Sequence, residues 1–587
     1  MPRRECDDRG LCDLFNNGSF DAVELATAAL ASGFTYFDQQ EAQQPMNEAA
    51  LDTPRLVVDP RTRMRIFIAV MLGLFLAALD QTVVGTALPR IVTDLKGNEI
   101  YTWAFTSYLL TATISGPIYG KLSDLFGRRP ILLFAVAVFL IGSLLAATSN
   151  TMAQFVLYRG LQGLGAGALF PLALAVIGDL FEPAERGKYQ GFVGAVFGLS
   201  SLLGPALGGI ITDTVGWHWV FLVNLPIGAV VFAVVWRALP SIRPAGAAPR
   251  IDYLGASALV AALVPILIGL TNKQSAQWTD LSVGGLIAVG LVLSGVFVWV
   301  ESRASEPIVP LELFRIRSFT VSVIAMFLVS MAFFTPIVFL PRWFQVVSGA
   351  SATQSGYEIL ALLGGLIISA TLSGQLVART GRYKTLALGA TVLLAFGLFL
   401  LSNLRADTPL PMLWLWMFVT GLGVGPIFSI FTLIVQGAVP ARQIGTATSN
   451  LTLFQQVGGS VGLAIAGTVF GSRLVEEVPH QLSTAVPPQV VAGFAGSGSS
   501  VLGQLSGVGD LGQAILASAP VGAREQLAPF VPDIVAAIYR AFSLATAGTF
   551  VFGIGAAVLA AVAASFLREA PRRAAVTDDS TLEAAAD

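Results

Sequence analysis

The fold is decided by one stretch of the sequence, Gly120-Lys-Leu-Ser-Asp124-Leu-Phe-Gly127-Arg128-Arg129-Pro130. A decayed copy follows 254 residues later, as Gly374-Gln-Leu-Val-Ala378-Arg-Thr-Gly381-Arg382-Tyr-Lys384. A second pair of segments, which begin at Pro183 and Pro440, repeats at nearly the same offset. Because apolar segments surround both copies, the repeat predicts two pseudo-symmetric halves of six membrane-spanning helices each.

The composition is that of a membrane protein. Of 587 residues, 55% are hydrophobic and 12% are charged, whereas a soluble domain carries about a quarter of its residues as charged side chains. The net charge of −2 offers no excess of positive charge for a phosphate backbone, so nucleic acid is not an expected partner. Both cysteines, Cys6 and Cys12, lie in the polar N-terminal tail and predict no metal site among the apolar segments.

The sequence contains no pattern typical of an enzyme that uses nucleotides or zinc. Neither a Gly-x-x-x-x-Gly-Lys-Ser/Thr loop nor a His-Glu-x-x-His pair occurs. His218 and His480 are isolated and indicate no metal site. We therefore predict no catalytic residue, no cofactor and no metal, and expect an ion gradient to supply the energy for a secondary transporter.

Apolar windows of about twenty residues predict fourteen membrane-spanning helices. With the N-terminal tail in the cytoplasm, twenty-two Lys and Arg residues fall on the cytoplasmic side and eight on the other. Cytoplasmic loops are enriched in positive charge in this way, so we expect a multi-pass protein of the inner (plasma) membrane with both termini cytoplasmic. The predicted spans are residues 66–88, 101–121, 131–149, 153–179, 188–212, 218–237, 252–271, 282–300, 319–343, 354–378, 384–402, 410–436, 445–471 and 538–567.

The predicted fold class is an all-α membrane protein, in which two linker helices join two six-helix bundles. The predicted boundaries are 1–63 for a polar N-terminal tail, 64–240 for the N-terminal bundle, 241–305 for the two inserted helices, 306–570 for the C-terminal bundle with a long external loop at 472–537, and 571–587 for a cytoplasmic tail.

Three motifs carry a resemblance to a known family. The stretch Gly120–Arg129 resembles the signature loop of the major facilitator superfamily. Leu79-Asp80-Gln-Thr82-Val-Val-Gly-Thr-Ala87-Leu88-Pro89 resembles the span 1 motif of the fourteen-helix drug:proton antiporters, with Gly85 where that family usually has Asn. Span 5 is similar to the antiporter motif of the superfamily, with Ser200 in place of its middle glycine, and the matching residues are Gly191, Gly204, Pro205, Gly208 and Gly209.

The loop after span 2 is predicted to form a cytoplasmic gate. Its glycines allow two helices to turn and pack closely, and Asp124 can meet the positive end of a neighbouring helix or a nearby Arg. The alternative is that its arginines only orient the chain in the membrane. Ala378 replaces the acid in the second copy, so we expect an asymmetric gate. The predicted gate residues are Gly120, Asp124, Gly127, Arg128 and Arg129.

Three charged residues are candidates for proton coupling. An ionised carboxylate at the depth of Asp80 costs about 2.5–3.5 kcal/mol, and it could bind and release a proton as its surroundings alternate. A static hydrogen-bonded role between helices is the alternative. Arg159 lies in a pattern that resembles the arginine motif of these antiporters, which implies a partner for Asp80; binding of backbone carbonyls is the alternative. Glu358 is either a second titratable site or a surface acid.

Several polar and aromatic residues within the predicted spans are candidates to line a substrate cavity. For each of them, contact with lipid or with other helices is the alternative. The candidates are Tyr108, Gln162, Tyr357, Gln436, Phe454, Gln455 and Gln456.

The external loop from Ser472 to Pro532 is rich in Gly, Ser, Ala, Pro and Gln, which predicts a flexible linker. Its length leaves room for an amphipathic element that guides lipid-like substrates, or for the docking of an extracytoplasmic partner.

The resemblance implies multidrug efflux, and with it antibiotic resistance, by antiport of protons against small hydrophobic or cationic substrates. The predicted mechanism is alternating access within the bilayer. Two rivals remain open at this stage. One is an exporter of lipids or envelope glycolipids with the same fold, and the other is a membrane sensor or scaffold that transports nothing. Import is a further alternative, because the direction depends on the resemblance alone.

Overall fold

The computed structural model describes residues 58–96, 103–241, 251–273, 276–487, 511–518 and 524–568. Within these ranges every regular element is helical. The α-helices that organise the fold are α1 (Pro60–Asp94), α2 (Trp103–Phe126), α3 (Arg128–Ala147), α4 (Met152–Leu180), α5 (Pro183–Thr214), α6 (His218–Leu222), α7 (Asn224–Ala238), α8 (Tyr253–Asn272), α9 (Leu286–Glu301), α10 (Arg317–Val346), α11 (Ala352–Glu358), α12 (Leu360–Thr380), α13 (Tyr383–Leu401), α14 (Leu410–Ala438), α15 (Ile444–Ala485), α16 (Leu511–Ser518) and α17 (Val531–Ser565).

In both copies of the repeated stretch a glycine with positive φ stands at the end of a helix. Gly127 separates α2 from α3 with φ at +90°, and Gly381 ends α12 with φ at +69°. This left-handed region of backbone conformation is open to glycine at no steric cost. The repeat therefore keeps the residue that its sharp turn requires, although Ala378 has replaced the acid.

Twelve of the described helices are long and apolar enough to cross a membrane. The prediction of fourteen spans is therefore not confirmed by length and apolarity. The two further helices that the sequence placed in the membrane, α2 and α5, have 24 and 32 residues. Both contain many Gly, Ser and Thr residues, which lowers their hydropathy.

Each half of the chain forms its own bundle. In the first half, α2 and α3 pack on α4, and α1 packs on α5 and α7. In the second half, α12 and α13 pack on α14, while α10 and α15 pack on α17. The inserted helices α8 and α9 pack on each other, and α8 also contacts α2 and α15. The halves meet chiefly where α5 packs on α12 and where α2 packs on α15.

In the described part of residues 472–532, which omits 488–510 and 519–523, the structure has helices where a flexible linker was predicted. Helix α15 does not end near residue 471 but continues as one helix of 42 residues to Ala485. Helix α16 also lies within this segment, and α17 begins before its end. The cause is apolar packing, because side chains of the α15 extension bury themselves against α16 and α17. This cluster contains Val478, Leu482, Val486, Ile515, Ile534 and Ile538.

The polar tail predicted at 1–63 lies outside the described residues up to residue 57, and the tail predicted at 571–587 lies outside them completely. Helix α1 begins within the predicted tail, at Pro60. Asp59 caps its first turn, since the carboxylate accepts hydrogen bonds from the backbone amides of Arg61 and Thr62, each at 3.0 Å.

Candidate functional site

A buried ion pair lies in the interior of the first half. Asp80 is on α1 and Arg159 is on α4, and neither side chain is exposed. The guanidinium Nη1 of Arg159 lies 2.5 Å from Oδ2 of Asp80. Each charge compensates the other, because a single buried charge without a partner costs several kcal/mol. The sequence predicted a partnership between these two residues, and the structure brings them into direct contact.

Uncharged donors complete the surroundings of the Asp80 carboxylate. Its Oδ1 atom accepts hydrogen bonds from Nε2 of Gln162 at 2.8 Å and from Nδ2 of Asn224 at 3.0 Å. Both of these side-chain amides also donate to the hydroxyl of Ser143, which in turn donates to the backbone carbonyl of Phe221. Four helices, α1, α3, α4 and α7, thus contribute to one buried network.

The Arg159 guanidinium is less completely satisfied than the carboxylate. Its Nη1 also donates to Oε1 of Gln162 at 2.5 Å, and its Nε donates to the carbonyl of Ala104 at 3.4 Å. The ring of Tyr108 lies 4.2 Å from the guanidinium carbon, a distance that allows a cation–π interaction. Nη2 is buried and finds no acceptor within the described ranges. The network therefore holds Arg159 tightly but leaves one of its nitrogens free.

Close helix packing positions this network. A Cβ atom on Gly142 would lie 2.6 Å from Cα of Gln162, so α3 and α4 approach more closely than any larger residue would allow. Tyr108, Arg159 and Gln162 are fully buried by this packing. Because the backbone of Gln162 is fixed against α3, its amide is held in place between Asp80 and Ser143.

A second charged cluster joins the two halves at the end of α2. Oδ1 of Asp124 accepts a hydrogen bond from the backbone amide of Gly445 at 3.0 Å. Its Oδ2 accepts from both the backbone amide and the hydroxyl of Thr446, each at 2.6 Å. Gly445 and Thr446 lie in the first turn of α15, where backbone amides lack partners within the helix and the helix dipole is positive. Asp124 of the first half therefore caps a helix of the second half.

Arg128 connects this cap to a third helix. Its guanidinium forms an ion pair with Asp124, and its Nε donates to Asp179 at the end of α4 at 2.8 Å. It also donates to Ser123 at 2.6 Å. Arg129, which the sequence grouped with these residues, has no side-chain hydrogen bond or ion pair in the part of the chain described. The cluster is thus held by Arg128 and not by the arginine pair.

Glycine allows the halves to come together beside this cluster. A Cβ atom on Gly120 would lie 2.8 Å from the backbone carbonyl of Gly445 and would overlap the side chain of Ser449. Helices α2 and α15 therefore touch at Gly120 with no space for a larger residue. We call Asp124, Arg128, Gly445 and Thr446 the latch cluster.

A third contact between the halves contains glutamines and no charge. Nε2 of Gln436, on α14, donates to the backbone carbonyl of Leu174 on α4 at 3.0 Å. Its Oε1 accepts from Nε2 of Gln190, on α5, at 3.3 Å. All three residues are buried. Gln436 was a candidate for the substrate cavity, but its amide is occupied by hydrogen bonds to the opposite half.

Other predicted site residues lie apart from the buried network. Glu358 accepts a hydrogen bond from the indole of Trp414, and Tyr357 is 43% exposed. Phe454 packs edge-on against Phe314 with ring centroids 6.0 Å apart, and Gln455 is partly buried. The structure therefore does not gather the candidate cavity residues into one place, because Tyr108 and Gln162 belong to the network around Asp80.

The glycines of the predicted antiporter motif differ in their surroundings. A Cβ atom on any of three glycines would clash with a threonine side chain: Gly191 with Thr371, Gly204 with Thr82, and Gly208 with Thr86. A Cβ atom on Gly209 would meet nothing within 4 Å. Gly191 thus allows α5 to pack on α12 of the other half, and the next two allow α5 to pack on α1. The side chain of Pro205 lies outside the described part of the chain.

Sequence reasoning missed several members of these clusters. Ser143 is one hydroxyl in an apolar span, and no sequence signal distinguishes it. Asn224 follows the segment at Gly216–Val223 and could have been chosen as a buried polar residue. Asp179 could have been found as a carboxylate at the end of a predicted span near Arg128. Among the residues described, no group of three or more His, Cys, Asp or Glu side chains is placed to hold a metal ion.

These features together are typical of one class of protein, the membrane transporters. The fold has two six-helix halves, charges are buried inside one of them, and the latch cluster connects the two. Residues 70–463 match the Major Facilitator Superfamily, and the chain belongs to that family. It is accordingly a multi-pass membrane transporter and not an enzyme.

Two relatives from Bacillus subtilis (strain 168) are similar over most of the chain. The multidrug transporter protein MdtP is 36% identical over 482 residues, which cover 82% of this chain and 86% of the relative. Multidrug resistance protein 3 is 35% identical over 508 residues, covering 86% of this chain and 95% of the relative. Among solved structures, that of the human organic anion transporter MFSD10 (TETRAN) matches with a TM-score of 0.53 and 18% identity, over 70% of this chain and 94% of that chain.

Proposed function

We propose that the protein exports small hydrophobic or cationic compounds, such as drugs, in exchange for protons. The observation that carries the proposal is the buried ion pair of Asp80 and Arg159, which places a titratable carboxylate inside one half of a transporter fold. The names of the two bacterial relatives support the substrate class. The reaction moves one or more protons inward as one substrate molecule moves outward.

The orientation follows from charge. The end of the bundle that carries the latch cluster also carries Lys121, Arg128 and Arg129, and cytoplasmic loops are enriched in such residues. We therefore place this end in the cytoplasm of a cell bounded by the inner (plasma) membrane, with both termini on the same side. Helices α2 and α5 complete a set of fourteen spans, since 24 residues of helix extend about 36 Å and the hydrocarbon core is about 30 Å thick.

Protonation of Asp80 would change the balance of charge inside the first half. A proton that enters from outside neutralises the carboxylate, and Arg159 then remains as a buried charge without a counter-charge. Such a charge costs roughly 3–5 kcal/mol, so the half is driven toward a conformation in which the guanidinium is solvated or finds another partner. Release of the proton to the cytoplasm restores the ion pair and returns the transporter to its starting state.

The latch cluster would control access from the cytoplasm during this cycle. Asp124 caps α15 across the boundary between the halves, and Gln436 ties α14 to α4 nearby. Both contacts must break before a substrate can enter from the cytoplasm by rocking of the halves. The described conformation is thus one in which the cytoplasmic side is closed.

A flux experiment tests the proposal. Inverted vesicles with an imposed proton gradient would be given a cationic dye such as ethidium, and proton release would be recorded for wild type, Asp80→Asn and Asp213→Asn. Asp213 is an exposed acid on α5 and serves as the matched control. We expect dye-dependent proton flux in wild type and in Asp213→Asn, and none in Asp80→Asn. Equal flux in both variants would remove Asp80 from the mechanism, and its absence in wild type would reject dye:proton antiport.

One observation favours a second candidate, the export of lipids or envelope glycolipids. The extension of α15 packs with α16 and α17 around Val478, Leu482 and Ile515, which gives an apolar cluster beyond the predicted end of span 13. Replacement of residues 488–523 by a Gly-Ser linker would remove α16. Unchanged dye export after this replacement would support the drug cavity, whereas loss of lipid export with the bundle still folded would support the second candidate.

A further inference from the structure

Two acidic residues come together at the cytoplasmic end of the inserted helices, far along the chain from Asp80. Asp252 precedes α8, and Glu301 is the last residue of α9. Glu301 is only 3% exposed. The mechanism proposed above uses neither residue, and nothing in the sequence motifs singles them out.

One oxygen of each carboxyl group already accepts a hydrogen bond. Oδ1 of Asp252 accepts a hydrogen bond from the backbone amide of Gly255 at 2.7 Å, which caps the start of α8. Oε2 of Glu301 accepts from the backbone amide of Val309 at 3.3 Å, so the segment that leads to α10 is attached to the end of α9.

The other oxygen of each carboxyl group is buried without a partner in the described part of the chain. These atoms are Oδ2 of Asp252 and Oε1 of Glu301. Both atoms lie close to Gly255. A Cβ atom on Gly255 would be 2.8 Å from Oε1 of Glu301 and would overlap Oδ2 of Asp252. Glycine at 255 therefore leaves room for both of these oxygens close to one point.

Among the described residues, two charged side chains of neighbouring segments lie near this pair, Lys121 and Glu306. Lys121 of α2 acts on Glu301 through its charge, but its ammonium group lies 2.6 Å from Glu306 and is already paired. Two ionised carboxylates that share a buried site repel each other strongly. A single negative charge on the pair avoids this repulsion and supplies the missing hydrogen-bond donor.

We propose that Asp252 and Glu301 form a proton-binding site, in which one proton is held between Oε1 of Glu301 and Oδ2 of Asp252. Helix dipoles decide which residue carries it. Asp252 caps a helix N-terminus, where a negative charge is favoured, while Glu301 ends a helix, where a negative charge is disfavoured. Glu301 is therefore the carboxylic acid that donates to the ionised Asp252, and the proton comes from water on the cytoplasmic side.

The site would attach the inserted helices to the bundle in a pH-dependent manner. The shared proton joins the start of α8 to the end of α9 and to Val309, next to the Lys121–Glu306 ion pair. When the pH rises and the proton leaves, a second negative charge appears beside Lys121 and competes with Glu306 for its ammonium group. Cytoplasmic pH would thus act on the end of α2, which carries Lys121, independently of the proton carried by Asp80.

Infrared difference spectroscopy on the purified full-length protein tests the site near neutral pH. We expect the wild type to have a carboxylic acid band that shifts in deuterated water and is absent from Glu301→Gln. Asp252→Asn should shift the band, because the acceptor of the acid O–H changes. Glu312→Gln is the matched control, since Glu312 is an exposed acid outside this pair and away from the Lys121–Glu306 ion pair, and it should leave the band unchanged. A Glu301→Gln spectrum identical to wild type would overturn the proposal.

Thermal unfolding gives a second readout, should a variant fold poorly. The folded protein holds a proton that the unfolded chain releases at neutral pH, so wild-type stability should fall as pH rises, while Glu301→Gln should lose this dependence. Gly255→Ala should lower the midpoint by forcing the carboxyl groups apart, whereas Gly295→Ala on α9, with open space around its Cβ position, should not. A wild-type midpoint with the same pH profile as Glu301→Gln would contradict the site. Neither measurement needs a substrate, so both are independent of whether the protein exports drugs.

Discussion

Thr446 donates two hydrogen bonds to one oxygen of Asp124, one from its backbone amide and one from its hydroxyl, each at 2.6 Å. The two residues belong to opposite halves of the transporter and are 322 positions apart in the chain. Such bonds to a charged acceptor contribute about 1.5–3 kcal/mol each. The contact between the halves at the latch cluster therefore depends strongly on one carboxylate.

Asp124→Asn should open the cytoplasmic side more often. An amide at this position loses the charge, and its NH2 group replaces one of the two acceptor oxygens, so a donor then faces the backbone amide of either Gly445 or Thr446, which also donates. A cysteine at Ser449, which is fully buried against Gly120, would report the change when Cys6 and Cys12 are replaced by Ser. We expect labelling by a maleimide from the cytoplasmic side to accelerate roughly tenfold, the factor that corresponds to 1.4 kcal/mol. The same rate in wild type and Asp124→Asn would mean that the latch cluster does not hold the halves together.

The ion pair in the first half should show strong coupling in a double-mutant cycle. Asp80→Asn leaves Arg159 buried without a counter-charge, and we expect a loss of about 3–5 kcal/mol in the free energy of unfolding. Arg159→Gln should cost a similar amount, because Asp80 then lacks its cation. The double variant Asp80→Asn/Arg159→Gln should be more stable than either single variant. Thermal unfolding in detergent checks this, and additive losses would indicate that the two charges do not interact.

The sequence predicts the charged part of the site better than the polar part. Asp80 and Arg159 stand out because a charge in an apolar span needs compensation, and their partnership follows from that requirement. Ser143 does not stand out, since a hydroxyl in a helix buried on most sides has many acceptable positions. The approach of α3 to α4 at Gly142 places Ser143 beside Gln162.

The limits of the helices were harder to predict than their existence. Helix α15 passes through Pro479 and through the polar residues Glu476, Glu477 and His480, a composition that favours a loop. Tertiary packing decides the outcome, because Val478 and Leu482 find apolar partners on α17. Likewise, apolar windows predict α2 and α5 as spans, whereas neither is among the twelve described helices that are long and apolar enough to cross a membrane.

The glutamine contact should act on the same equilibrium as the latch cluster. Gln436→Leu keeps the volume but removes the bonds to Leu174 and Gln190, and it leaves the Gln190 amide buried without its acceptor. We expect the labelling rate of a cysteine at Ser449 to rise about thirtyfold, since the two lost hydrogen bonds contribute about 1 kcal/mol each. In the double variant with Asp124→Asn the two factors should multiply, because separate contacts add in free energy. A double variant no faster than Asp124→Asn would show that Gln436 does not restrain the halves.

Two neighbouring glycines on α5 offer a matched pair of substitutions. Gly208 faces α1, where an added methyl group would lie 2.8 Å from the carbonyl of Val83 and would overlap Thr86, whereas Gly209 faces open space. Gly208→Ala should therefore push α1 away, disturb Asp80 on the same helix, and reduce both the unfolding midpoint and dye-dependent proton flux. Gly209→Ala should keep full flux and gain up to about 1 kcal/mol in stability, because alanine is the better helix former. Both variants belong to the segment that resembles the antiporter motif. Equal losses of flux would mean that the motif acts through the flexibility of its glycines. A loss of flux confined to Gly208→Ala would mean that the motif acts through packing against α1.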